Sequence, residues 1–231
     1  MKGAGFFKAL RIVAIKDLRL EWRTLETMSS TVIFSLIVLV VFNFTFGLGT
    51  IRQLGADRLV PGIIWTVLAF ASVVGMARSL QMERLRDTLT ALFLAPIDRG
   101  ALYTGKMLAN LVKLTLLQWI LIPLTAVFFD YNLNGIFFKL MFVLFLHGLG
   151  LALLGTLFAG VTTRVGRGEA LLATLLFPSA SPLLISAVKC TATVMEKQSL
   201  ADVSNWLLVA VGFDALFFFV SLLTFEFVLE E

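Results

Sequence analysis

The sequence predicts an all-α integral membrane protein with six transmembrane helices, and three observations carry that prediction. Of 231 residues, 59% are hydrophobic and only 15% charged, whereas about a quarter of an ordinary soluble chain is charged. The apolar residues gather in six runs near the roughly 20 residues that a helix needs to cross a hydrocarbon core about 30 Å thick. Each run is continuously apolar, without the alternation that a lumen-facing and lipid-facing strand requires, so helices rather than a barrel satisfy the backbone in lipid. The composition also excludes other classes. The formal charge of +4 on such a chain marks cytoplasmic loops and not a nucleic-acid surface. A single cysteine, Cys190, and a single histidine, His147, rule out an internal disulfide and a multi-histidine metal site.

The first element is an amphipathic helix in residues 1–27, preceding a transmembrane domain of residues 28–231. Phe7, Leu10, Ala14, Leu18, Trp22 and Leu25 form one helical stripe, and Lys8, Lys16, Arg19 and Arg23 lie largely opposite. Charges interrupt this stretch too often for the apolar core of a signal peptide. The pattern is that of a helix lying in the cytoplasmic interface. Arg11 and Glu21 fall inside the apolar sector, so each either snorkels or meets a protein partner.

The spans follow as Thr31–Leu48, Val60–Leu80, Leu108–Phe129, Phe138–Val161, Ala170–Val188 and Trp206–Leu229. Thirteen Lys and Arg residues fall in the N-terminal segment and the second-to-third and fourth-to-fifth connections, against five in the alternate connections. By the positive-inside rule both termini are cytoplasmic, and Lys113 lies within the third span near its cytoplasmic end.

The longest cytoplasmic connection, residues 81–106, is not built as a passive linker. Asp87 is placed to cap a short helix whose Leu89, Leu92, Phe93 and Pro96 form an apolar face, with Glu83, Arg86 and Arg99 at its flanks. Exposed apolar faces dock. One reading rests this helix on its own bundle; the other makes it a coupling helix seated in a groove of a separate motor domain.

Glu83, Thr88-Leu89, Leu92, Ala95-Pro96, Arg99 and Gly105-Lys106 resemble the corresponding loop of ABC-2-type export permeases. Within that group, Pro61-Gly-Ile-Ile-Trp65 and Phe177-Pro-Ser-Ala-Ser-Pro-Leu-Leu-Ile185 resemble the CcmB family, the haem-exporter permeases of cytochrome c maturation. The likeness runs over nearly the whole chain. It departs at Asp87, where the family usually carries glycine.

The resemblance implies a permease subunit in a bacterial inner membrane, with ATP hydrolysed by a separate CcmA-like ATPase. Two ATPase copies would engage a homodimer of permeases, alongside CcmC- and CcmD-like membrane proteins. The implied work is release of a haem-loaded, CcmE-like chaperone, also described as haem export, so haem is handled by the complex. The sequence itself contains no Gly-x-x-x-x-Gly-Lys-Ser/Thr phosphate loop, no paired carboxylates and no nucleophile–base set, so the chain is expected to be a permease subunit and not an enzyme, with no cofactor assigned to it. Two other functions stay open: an ABC-2 permease exporting a different amphiphile, such as a lipid-linked sugar or drug, and a non-transporting assembly scaffold.

Polar residues inside spans are costly in hydrocarbon and are read singly. His147 is either a haem-iron ligand or a histidine bonded to a neighbouring helix. Asp214 either contacts a translocating group or is buried within the bundle. Asn43 and Gln118 read as interhelical hydrogen-bond donors. Pro178 and Pro182 remove backbone donors and are expected to break or kink the fifth span, as a gate, a re-entrant turn or a plain kink. Lys189–Asn205 would then lie along the outer surface.

Overall fold

The computed structural model describes residues 5–85, 98–162 and 168–228, and every regular element among them is helical. Helix α1 spans Phe6–Thr24, and Leu25, with φ 50°, turns the chain into α2, Glu26–Leu54. Then come α3 (Ala56–Leu85), α4 (Arg99–Phe128), α5 (Phe137–Thr162) and α6 (Gly168–Met195). A short 3-10 turn, Leu200–Val203, leads into α7, Ser204–Val228. Six of these helices are long and apolar enough to cross a membrane, and with their length they make this a multi-pass membrane protein.

Helix α5 is the centre of the bundle. It packs against α3, α4, α6 and α7, and 78% of its apolar window is buried, against 17% in α2 and in α7. A helix that is apolar all round belongs in the interior. In lipid, however, packing and not hydrophobicity holds helices together, so close approach depends on small residues. The glycines of α5 provide it: Gly148 faces the Gln118 amide, Gly150 faces Asp214 and Leu183, and Gly155 faces Met76.

Two ends run further than the apolar runs suggest. Helix α4 begins at Arg99, not near Leu108, so residues 99–106 of the connection expected to be loop are its first two turns, with Ala101–Gly105 buried. The Asp98 carboxylate caps it by accepting from Ala101 N at 2.9 Å, and α1 covers it. Helix α6 likewise continues through Lys189 to Met195, so the expectation that Lys189–Asn205 lies along the surface is corrected. Cys190, Thr191, Val194 and Met195 are buried, and this packing holds the polar end of the helix in the bundle.

The first span stops short within α2. Gly47 has φ 59° and ψ 158°, a conformation that only glycine adopts without strain, so the last turns to Leu54 leave the line of the span.

Candidate functional site

The edge expected to be cytoplasmic and to meet a motor domain is where α3 ends, α4 begins and α1 packs on α4. Arg78 on α3 reaches Glu26 at the start of α2, 3.8 Å apart. A Cβ on Gly105 would stand 2.9 Å from the Leu10 carbonyl and from Val13, so only glycine lets α1 sit this close. Next to it, Lys106 Nζ pairs with Asp17 Oδ2 at 3.5 Å, and Lys16 holds the other carboxylate oxygen at 2.9 Å. The Gly-Lys pair of the loop pattern thus has a physical reason: one residue admits α1, the other pins it.

Of the expected coupling residues, Glu83 lies in the last turn of α3 and Arg99 is the first residue of α4. Arg86, Thr88, Leu89, Leu92, Phe93 and Pro96 lie outside the described residues. The helices on either side of them, α3 and α4, pack together.

The second set of polar groups lies inside the bundle around α5. His147 is fully buried. Its Nδ1 lies 2.8 Å from Val143 O and its Nε2 2.9 Å from Ser186 Oγ. The Ser186 hydroxyl also donates to Trp206 O at 2.6 Å, so one serine ties α6 to both α5 and α7. Both ring nitrogens are therefore engaged by neighbours, and neither is turned toward open space. Trp65, in the Pro-Gly-Ile-Ile-Trp block, packs edge-on to His147 with ring centroids 5.5 Å apart and donates to Thr191 Oγ1 at 2.8 Å. That block and the Pro-Leu-Leu-Ile helix, separated by over a hundred residues, meet here.

Asp214 is also buried, against Gly150 one turn from His147. Its carboxylate oxygens have no hydrogen-bond partner among the described residues. Pro178 and Pro182 sit on an exposed face of α6, which stays helical through both. The Ser181 hydroxyl donates to Pro178 O at 2.8 Å, replacing the amide that Pro182 lacks.

The expected interhelical donors are Asn43, which reaches Phe128 O at 2.5 Å, and Gln118, which reaches Leu144 O at 2.9 Å. Two ties were not foreseen: Tyr103 Oη donates to Leu153 O at 3.0 Å, and Asn110 Nδ2 to Thr156 Oγ1 at 2.9 Å. Their signal was available. Tyr103, Asn110 and Gln118 follow one another at two-turn intervals, so all three share the α4 face that meets α5.

Comparison with known proteins joins these features to a family. Residues 8–229 match the family described as CcmB protein. The Heme exporter protein B of Rhodobacter capsulatus is 30% identical over 176 residues, covering 76% of this chain and 79% of that protein.

Proposed function

The chain belongs to the CcmB protein family, and from that premise we propose that it is the membrane permease subunit of an ABC-type haem exporter serving cytochrome c maturation. The match over residues 8–229 is the observation that carries this reading. In it a separate CcmA-like ATPase binds ATP, CcmC- and CcmD-like proteins lie alongside, and two permeases pair. Motion driven by ATP hydrolysis enters through residues 81–106 and ends in release of a haem-loaded, CcmE-like chaperone on the other side of the membrane. The chain supplies the moving helices.

The physical basis for coupling is the cytoplasmic edge. A push on the connection between α3 and α4 acts on two long helices that flank it, and α4 carries α1 with it through Gly105 and Lys106. At its other face α4 is bonded to α5 through Tyr103, Asn110 and Gln118. The path from connection to bundle centre is therefore a set of packed, hydrogen-bonded elements. In this reading α1 lies in the cytoplasmic interface, as the basic asymmetry requires of the N-terminal side.

Purifying the assembly through a tag on this chain tests the function. An ATPase and haem-handling membrane proteins in the eluate are the expected partners, while glycosyltransferases would favour export of a lipid-linked sugar.

Orientation has its own test. Cys190 is buried, which leaves a quiet background for labelling by an impermeant thiol reagent. Arg99→Cys is expected to label from the cytoplasm only and Gln53→Cys from the outside only; the reverse pattern would overturn the orientation.

Asp214→Asn is expected to preserve activity. Asparagine has nearly the same shape, and the carboxylate accepts no hydrogen bond from the described residues that would be lost. Haem-release activity close to wild type in D214N is the expected result. Complete loss at normal abundance would make the carboxylate part of the transport path.

A further inference from the structure

Helix α1 sorts its charges by face. Its acids turn toward the protein: Asp17 is held by Lys106 and Lys16, and Glu21 Oε1 accepts from Met28 N at 2.7 Å. Four bases, Lys8, Arg11, Arg19 and Arg23, turn outward and are exposed, and none has an ion pair among the described residues. The apolar residues are sorted as well. The face against α4 uses the small Ala9 and Val13, both buried, while the large Phe7 and Trp22 stand 81% and 74% exposed.

The large apolar stripe visible in the sequence is therefore not the face that packs on the bundle. Phe7 and Trp22 are 15 residues apart, about 22 Å along a helix. Between these two exposed aromatics stand the exposed bases Lys8, Arg11 and Arg19 and the exposed Ile12.

We infer that the outward face of α1 is a binding surface for anionic phospholipid headgroups of the cytoplasmic leaflet. The inference rests on the reading of α1 as an interfacial helix and adds a lipid preference to it. Phosphate oxygens meet the Arg11, Arg19 and Arg23 guanidiniums, which match phosphate geometry with paired donors. Phe7, Leu18 and Trp22 enter the acyl boundary below, where aromatic rings with a polar edge are favoured. Charge complementarity selects this occupant: a surface with four bases and no outward acid calls for a uniformly negative partner, and the large apolar residues between the bases call for one with hydrocarbon attached.

Two readouts on the purified assembly in nanodiscs separate this preference from simple interfacial placement. The first is the depth of a nitroxide on Trp22→Cys, read by oxygen against nickel accessibility. The second is retention of phosphatidylglycerol over phosphatidylcholine by native mass spectrometry, for the wild type and for an Arg11→Gln, Arg19→Gln, Arg23→Gln variant. The label is expected at the headgroup–acyl boundary. Phosphatidylglycerol is expected to be enriched several-fold on the wild type and to lose most of that enrichment in the triple variant. Arg58→Gln with Lys139→Gln, bases in the first turns of α3 and α5 at the ends assigned to the other side, should leave the enrichment intact. A boundary label with equal enrichment in wild type and triple variant overturns the lipid preference alone. Equal losses in the triple variant and the Arg58/Lys139 control overturn it too, as a general charge effect. A label in water, or one shielded only when the ATPase is present, overturns the interfacial reading as well and assigns the face to a protein.

Discussion

Replacing Gly150 with leucine is expected to abolish accumulation of folded permease. Gly150 lies on the central helix α5, and a Cβ there would stand 2.5 Å from Asp214 Oδ1 on α7 and 2.6 Å from a Leu183 methyl on α6. Neither neighbour has room to retreat, since Leu183 is fully buried and Asp214 nearly so. Inserting even a methylene into a well-packed core costs about 1–3 kcal/mol, and leucine inserts four heavy atoms between three helices. Total stabilities of about 5–15 kcal/mol leave little to absorb such a loss.

The contrast with Gly155 makes the test specific. There the obstructing side chain is Met76, a flexible thioether that can swing aside. Gly155→Ala should therefore be milder than Gly150→Ala, and Met76→Ala should relieve it. Monodisperse yield and melting temperature in detergent measure this. Since about 1 kcal/mol moves the midpoint of a domain this size by roughly 2–4 °C, a Gly150→Leu protein that melts with the wild type would contradict the placement of α5 at the centre.

The second large effect is expected at Leu89 and Leu92. If these side chains seat in a groove of the ATPase, Leu→Asp at either position puts a carboxylate without a partner into a desolvated contact. A cost of about 3 kcal/mol corresponds to roughly a hundredfold weaker association, and anchors at the centre of an interface commonly exceed that. Glu83 and Arg99, as flanking charges, should change encounter rate more than affinity. Neither leucine lies within one of the six spans, so insertion and abundance should survive the substitutions.

Six spans were legible in the sequence because lipid imposes a length that few other structures demand, and α2 to α7 follow it. The helix ends were harder to read. Residues 99–106 and 189–195 carry charge or polarity that ends an apolar run, yet α1 covers the first stretch and Trp65 bonds into the second. The packed face of α1 was hidden for the opposite reason. Close approach at Gly105 uses Ala9 and Val13, whose small side chains give a faint periodic signal, while Phe7 and Trp22 draw the eye to the wrong side.

The interior cluster was half legible. That His147 and Asp214 are unusual in a span is visible from composition, but that His147 meets Ser186, and Ser186 meets Trp206, depends on a fold that brings distant positions together. The α4 donors were a missed opportunity, since the two-turn spacing of Tyr103, Asn110 and Gln118 predicts one shared face. In the sequence of the connection between α3 and α4, the apolar Leu89, Leu92, Phe93 and Pro96 and the family pattern point the same way.

The most direct test of the coupling account is made on L89D and L92D complexes purified at matched permease abundance, measuring bound ATPase and the rate of haem-loaded chaperone release. The account predicts permease at the wild-type level, ATPase lost from the complex and haem-loaded chaperone accumulating unreleased. ATPase retained in full in both variants, with chaperone released at the wild-type rate, would contradict it.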